Sequence, residues 1–154
     1  MKKFLIALIA FLLGLIVFMP KKDIFYTAEH YLKDINIVSK IQSNPFFLKL
    51  NNGKIYYLNI KAATFKEAII FPFILYNQAN IKNLKIDSLN LTLNNIKIIY
   101  SPFYFKKAFI FADNLKGEID ILNKKIHLES KNPPNYLKGF MKKTKKGYEL
   151  NEKF

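Results

Sequence analysis

The residues of this chain able to move protons or hold metal are few: two histidines, His30 and His127, a scatter of carboxylates, and no cysteine. Glu118, Asp120, His127 and Glu129 recur at alternate positions within one short stretch. If that stretch is paired strand, the four share a face, and a carboxylate beside an imidazole is the pattern of a general base or a mixed metal site. Alternating charge is also what a wet strand face carries, and this is the reading adopted: a surface with no catalytic and no metal role. His30 has no second candidate ligand nearby and reads as a surface residue of a helix. The five glycines, at 14, 53, 117, 139 and 147, stand singly, so there is no phosphate loop, dinucleotide fingerprint or nucleophile elbow. The lack of cysteine excludes disulfide scaffolds, thiolate zinc sites and cysteine nucleophiles. The expectation is a protein that is not an enzyme and takes no cofactor.

The elements around these residues divide into an apolar head and a basic, strand-rich body. Fifteen Phe, nine Tyr and 51% hydrophobic residues exclude a disordered chain, and 154 residues allow one small domain plus one membrane segment. The net charge of +14 comes from 25 basic residues, every one of them Lys. Nucleic-acid recognition favours the bidentate guanidinium fork, so this charge argues against nucleic acid and for solubility or attraction to anionic lipid.

Lys2-Lys3 precedes Phe4 to Met19, a run without charge or hydroxyl, closed by Pro20-Lys21-Lys22-Asp23. Its expected lipid contacts are Phe4, Leu5, Leu8, Phe11, Leu12, Leu15, Phe18 and Met19. At 1.5 Å per residue the run covers about 24 Å, which spans a ~30 Å core if the flanking lysines snorkel to the interfaces. A cleaved signal peptide is the competitor, but Ile16-Val17-Phe18-Met19 lacks the small residues that cleavage needs. Residues 1–20 are therefore expected to be an uncleaved transmembrane anchor. The flanking lysines nearly balance; a translocated domain with a short basic N-terminus left inside favours a cytoplasmic N-terminus and a periplasmic body. Ile24, Phe25, Ala28, Tyr31, Leu32 and Ile35 then form one helical stripe, predicting an amphipathic helix over 21–34.

From residue 35 the apolar period changes to 2. Asn51-Asn52-Gly53 and Asn94-Asn95 read as hairpin turns, and Asp87-Ser88 as a turn or bulge where the pleat changes face. Thr64 to Tyr76 reads as a short helix, or as an edge strand beginning near Pro72. Phe103, Phe105, Phe109 and Phe111 continue the apolar alternation. The predicted apolar face, closed core or open groove, comprises Leu84, Ile86, Leu89, Leu91, Leu93, Ile96, Ile98, Ile119, Ile121, Ile126 and Leu128. Residues 35–131 are thus an antiparallel β-domain with one greasy and one wet face. Pro133-Pro134 ends the sheet, leaving 132–154 as a basic stretch in which Lys138, Lys142, Lys143, Lys145 and Lys146 would meet anionic lipid or an acidic partner. The fold class is mainly β: a transmembrane helix, an amphipathic helix and a bent antiparallel sheet, β-taco or half-jellyroll-like.

The Met-Lys-Lys anchor ending Phe18-Met19-Pro20-Lys21, the amphipathic helix, Gly53-Lys54-Ile55-Tyr56-Tyr57, Ile81-Lys82-Asn83-Leu84-Lys85-Ile86 and Gly117-Glu118-Ile119-Asp120-Ile121-Leu122 together resemble the small type II secretion system protein N family. That family is similar in turn to the AsmA-like and bridge-like lipid-transfer proteins. The resemblance implies a bitopic inner-membrane protein with a periplasmic β-domain, a non-catalytic component of a type II secretion-like envelope machine whose partners are inner-membrane lipid and other secretion subunits. The alternative is an LptC-like or AsmA-like lipid-transport component holding acyl chains in an apolar groove.

Overall fold

The computed structural model describes residues 2–73, 75–87, 91–104 and 106–153, apart from the side chain of Tyr136. Two helices, α1 (Lys2–Phe18) and α2 (Lys21–Tyr31), precede eight strands, β1 (Ile35–Ser43), β2 (Leu48–Tyr57), β3 (Ile60–Pro72), β4 (Asn77–Ile86), β5 (Leu91–Tyr100), β6 (Lys107–Ala112), β7 (Leu115–Asp120) and β8 (Lys125–Ser130). A one-turn helix α3 (Asn135–Lys138), β9 (Lys142–Thr144) and β10 (Gly147–Lys153) follow. All ten strands form one antiparallel sheet in the order β1-β2-β3-β4-β5-β6-β7-β8-β10-β9. The fold is mainly β, a meander whose C-terminal pair folds back so that β10 joins β8.

Local chemistry explains the helix junction. Proline cannot donate the hydrogen bond that would continue α1, so the chain breaks at Pro20 and α2 leaves at 66°. Lys21 turns back and donates from Nζ to the Ile16 carbonyl at 2.7 Å, supplying a cation where the orphan carbonyls of α1 need one. Neither helix alone is long and apolar enough to cross a membrane; the bent pair passes that test together.

Several sequence expectations shift. Asn51-Asn52-Gly53 lies inside β2, and the β2–β3 turn is at Leu58 and Asn59, both with the positive φ (49° and 66°) of a type I′ turn. Thr64 to Pro72 is neither helix nor edge but the body of β3, paired with β2 and β4. Asn94-Asn95 is inside β5. Ile86 pairs with Leu91 across the antiparallel β4–β5 ladder, while Ser88 of the expected Asp87-Ser88 turn lies outside the described residues; the chain does break at Ser101-Pro102.

These corrections share one cause. The buried or core-packed residues alternate along β2 to β5 except for one three-residue step in each strand, Leu50 to Gly53, Phe65 to Ala68, Ile81 to Leu84 and Leu93 to Ile96. The residues at these steps, Asn52, Lys66, Asn83 and Asn94, stand opposite one another in register, and each ladder skips them. Asn52 and Asn83 have φ of 51° and 52°. The row continues into β1, whose register shifts between Val38 and Lys40. The sheet is therefore creased across five strands: each strand reverses its pleat there, which keeps apolar residues on one side. Asparagine suits the left-handed backbone found at Asn52 and Asn83, and so it imitates a turn signal.

Candidate functional site

The carboxylate and histidine group assembles as a surface. Glu118 pairs directly across from His127 in the β7–β8 ladder, but its carboxylate accepts from Lys107 Nζ at 2.8 Å. Asp120 accepts from the Asn123 backbone N–H and side-chain amide, which fix the β7–β8 turn and hold its carboxyl below the usual range. The His127 ring nitrogens face Glu129 Oε1 at 3.0 Å and Asn151 Oδ1 at 2.6 Å. Only the protonated ring donates to both acceptors, and its pKa is raised by Glu129 first and Asn151 second. Among the described residues no group of three or more His, Asp or Glu could hold a metal ion. His30 is exposed on α2.

Chemistry of another kind lies on the opposite side of the sheet. Reading across the ladders, Ile41, Leu50, Ala68, Ile81, Ile96, Ala112, Leu115, Ser130 and Tyr148 form one row over nine strands. A second row, Leu48, Ile70, Ala79, Ile98, Ile110, Gly117, Leu128 and Leu150, runs beside it. Beyond the crease the face continues through Ile37, Ile55, Ala63, Ile86 and Leu91. Of the predicted face, Leu84, Ile86, Leu91, Leu93, Ile96, Ile98, Ile119, Ile126 and Leu128 lie together on this side. Ile121 does not: it sits in the β7–β8 turn, 51% exposed. Leu89 and Phe105 lie outside the described residues. Phe109 and Phe111 point to the other face, because Ile110 pairs with Ile98 and Ala112 with Ile96.

Two separate clusters cover this face. Leu48 and Leu50, 2% and 1% exposed, pack with Phe65 and Ala68, and Phe25 of α2 lies against them. Phe65 lies over Gly53, where no side chain fits. Ile96, Ala112, Leu115 and Met141 form the second cluster, with Leu137, Tyr148 and Leu150 against it. Neither cluster contains a residue from the other's flank of the sheet; Ile81 and Leu84 of β4 touch both. Two sheets packed face to face would interdigitate into one core. The accessible surface, 11,251 Å², exceeds the roughly 8,000 Å² expected of a compact monomer of this size. The exposed α1 contributes to that excess.

The basic stretch is not a tail. Lys142 and Lys143 belong to β9, Lys145 and Lys146 to the β9–β10 turn, and Lys138 ends α3. Sequence reasoning missed β10 because its Tyr148 and Leu150 give only one clear alternation among charged residues. On the wet face Glu67 lies between Lys49 and Lys82, at 2.6 and 2.9 Å, a cross-strand triad that pulls its pKa down to about 2.

The expected anchor residues Phe4, Leu5, Leu8, Phe11, Leu15 and Phe18 are exposed along α1, with Leu12 and Met19 half-buried. No residue of the helix is buried. Comparison of the chain with protein-family models, with curated proteins and with solved structures found no match.

Proposed function

We propose that this chain is a non-catalytic envelope protein, anchored in the bacterial inner membrane by its N-terminal helix, whose periplasmic sheet bends like a taco and offers its apolar face to acyl chains. The observation that carries this reading is the continuous apolar face, covered at its two flanks by separate clusters and bridged only at β4. The centre of the face, Ala79, Ile81, Leu84, Leu93 and Ile98, is half-buried instead of sealed, as suits a surface that acyl chains can fill. A photoreactive side chain at Ile81 or Leu93 in the membrane-bound protein should crosslink phospholipid. Products free of lipid would overturn the proposal.

A second reading, a component of a type II secretion-like machine, is favoured by the edge of β10. Its ladder to β9 ends at Glu149, and among the described residues Leu150 to Lys153 pair only with β8. That open edge suits strand addition by another subunit, with β9 and turn lysines attracting it. Crosslinking from Glu152 to envelope subunits, without lipid at Ile81, would select this reading.

A further inference from the structure

We infer that one end of the sheet is a membrane-docking rim, seated on the same bilayer that receives α1; this rests on the anchor reading proposed above. In an antiparallel meander the β1–β2, β3–β4, β5–β6 and β7–β8 connections all emerge at one end. Here they expose Phe46, Leu75, Phe103, Tyr104, Ile121 and Leu122, with Phe103 70% and Leu122 56% accessible. Exposed apolar side chains at four successive turns exceed the single, scattered ones of an ordinary surface.

The charge at this end fits a lipid surface. The first two connections, residues 43–47 and 73–77, carry no charged residue, and the other two carry Lys106, Lys107, Lys124 and Lys125 against Asp120. Aromatic and aliphatic tips among lysines match the headgroup boundary of an anionic bilayer. At the opposite end the described turns carry Asp87 and Asp113 together with Lys145 and Lys146 of the β9–β10 turn, so charge is shared by both ends and the apolar tips distinguish them. Among the described turn residues there, the exposed large apolar side chains, Tyr31, Leu32, Leu58 and Ile60, gather at one corner.

The path of α2 decides which end meets the membrane. Its C-terminus lies at the opposite end, where Leu58 N–H donates to the Asp34 carbonyl. One turn back, Glu29 accepts from the Ile37 N–H, and a further turn back Phe25 packs on the Leu48 and Leu50 cluster. The helix thus runs antiparallel to β1 and carries Lys21, the point where α1 joins, toward the Phe46 end. The rim and the apolar helix therefore enter one bilayer from the same side, and the apolar face opens onto lipid at the end where an acyl chain would arrive.

The native chain has no cysteine, which permits single-site labelling of the full protein. Leu75→Cys, Phe103→Cys and Leu122→Cys, each carrying an environment-sensitive fluorophore, would be reconstituted in vesicles of phosphatidylglycerol and phosphatidylcholine, with Leu8→Cys reporting α1 and Asn114→Cys the opposite end. The expected result is blue-shifted emission, quenched by lipid-borne quencher, at the three rim sites and at Leu8, with aqueous emission at Asn114. Rim labels in water with Leu8 in lipid would overturn the rim and leave the anchor. Leu8 in water would overturn the anchor reading, and rim labels in lipid in that case would still support the rim. Lipid-like emission at Asn114 would overturn the one-ended docking.

Discussion

At the residue scale, close approach and charge geometry govern what can change. A Cβ on Gly117 would meet the His127 carbonyl and the Leu128 side chain in the neighbouring strand, and backbone cannot step aside as a side-chain tip can. Gly117→Val should cost about 1–3 kcal/mol, read as a lowered urea midpoint at unchanged slope. The Lys49, Glu67, Lys82 triad sets an acid limit. Because the folded carboxyl is depressed to about 2 from an ordinary 4.5, its contribution is complete above the ordinary value and is lost as pH falls toward 2. Glu67→Gln should flatten stability against pH across that window. The His127 contribution has the opposite sign: its pKa is raised, so the stabilisation is present below 6.5 and lost as pH rises through the folded value. His127→Ala should remove that alkaline loss, seen in thermal unfolding at a series of pH values, and should leave lipid capture at Ile81 unchanged.

At the scale of elements, the crease is a backbone requirement passed from strand to strand. Asn83, with φ 52°, sits at its centre. Asn83→Gly should be tolerated, whereas Asn83→Val should cost about 1–2 kcal/mol, since a β-branched residue resists the left-handed region. Unfolding of the two variants by urea distinguishes them. The C-terminal elements form part of the domain. Cutting the chain after Lys131 would remove Met141, Leu137, Tyr148 and Leu150 from the second cluster and leave β8 as an uncovered edge. The shortened protein is expected to aggregate or be degraded, measured by its abundance in the soluble and membrane fractions. An intact, well-folded product would show that β9 and β10 are dispensable.

At the scale of the whole molecule, orientation and cargo are the properties to test. Ser130 is buried, with its Oγ donating to the Asn114 carbonyl, so a reporter cysteine belongs at exposed Asn132. In intact spheroplasts Asn132→Cys should react with an impermeant maleimide; protection until lysis would reverse the proposed topology. Ile81→Asp would place an unpaired carboxylate where both clusters meet the open centre of the face. It should abolish acyl crosslinking and cost several kcal/mol. Ile81→Ser separates the two effects, since it keeps the fold under less strain while still weakening lipid capture, compared by crosslinking yield per folded protein.

The sequence alone determined the class of the protein. An uninterrupted apolar run, a helical stripe and then alternation of period 2 follow from local geometry, and β4, β7 and β8 are legible in their own residues. Glu118, Asp120 and His127 find their partners in immediate neighbours: Lys107, Asn123, and Glu129 with Asn151. Only the tertiary structure decided where strands continue and where they turn. Asn52 and Asn83 offer the same tolerance of positive φ in a strand crease as in a hairpin, and only neighbouring strands skipping the same row distinguish the two. Pairing at long range also decided that Lys142 to Lys153 belongs to the sheet, because three residues of β9 and a charged β10 have too little alternation to announce themselves. The apolar rim has the same origin: Phe46, Leu75, Phe103 and Leu122 are far apart in the chain, and the meander gathers them at one end because antiparallel strands return every second turn to the same side.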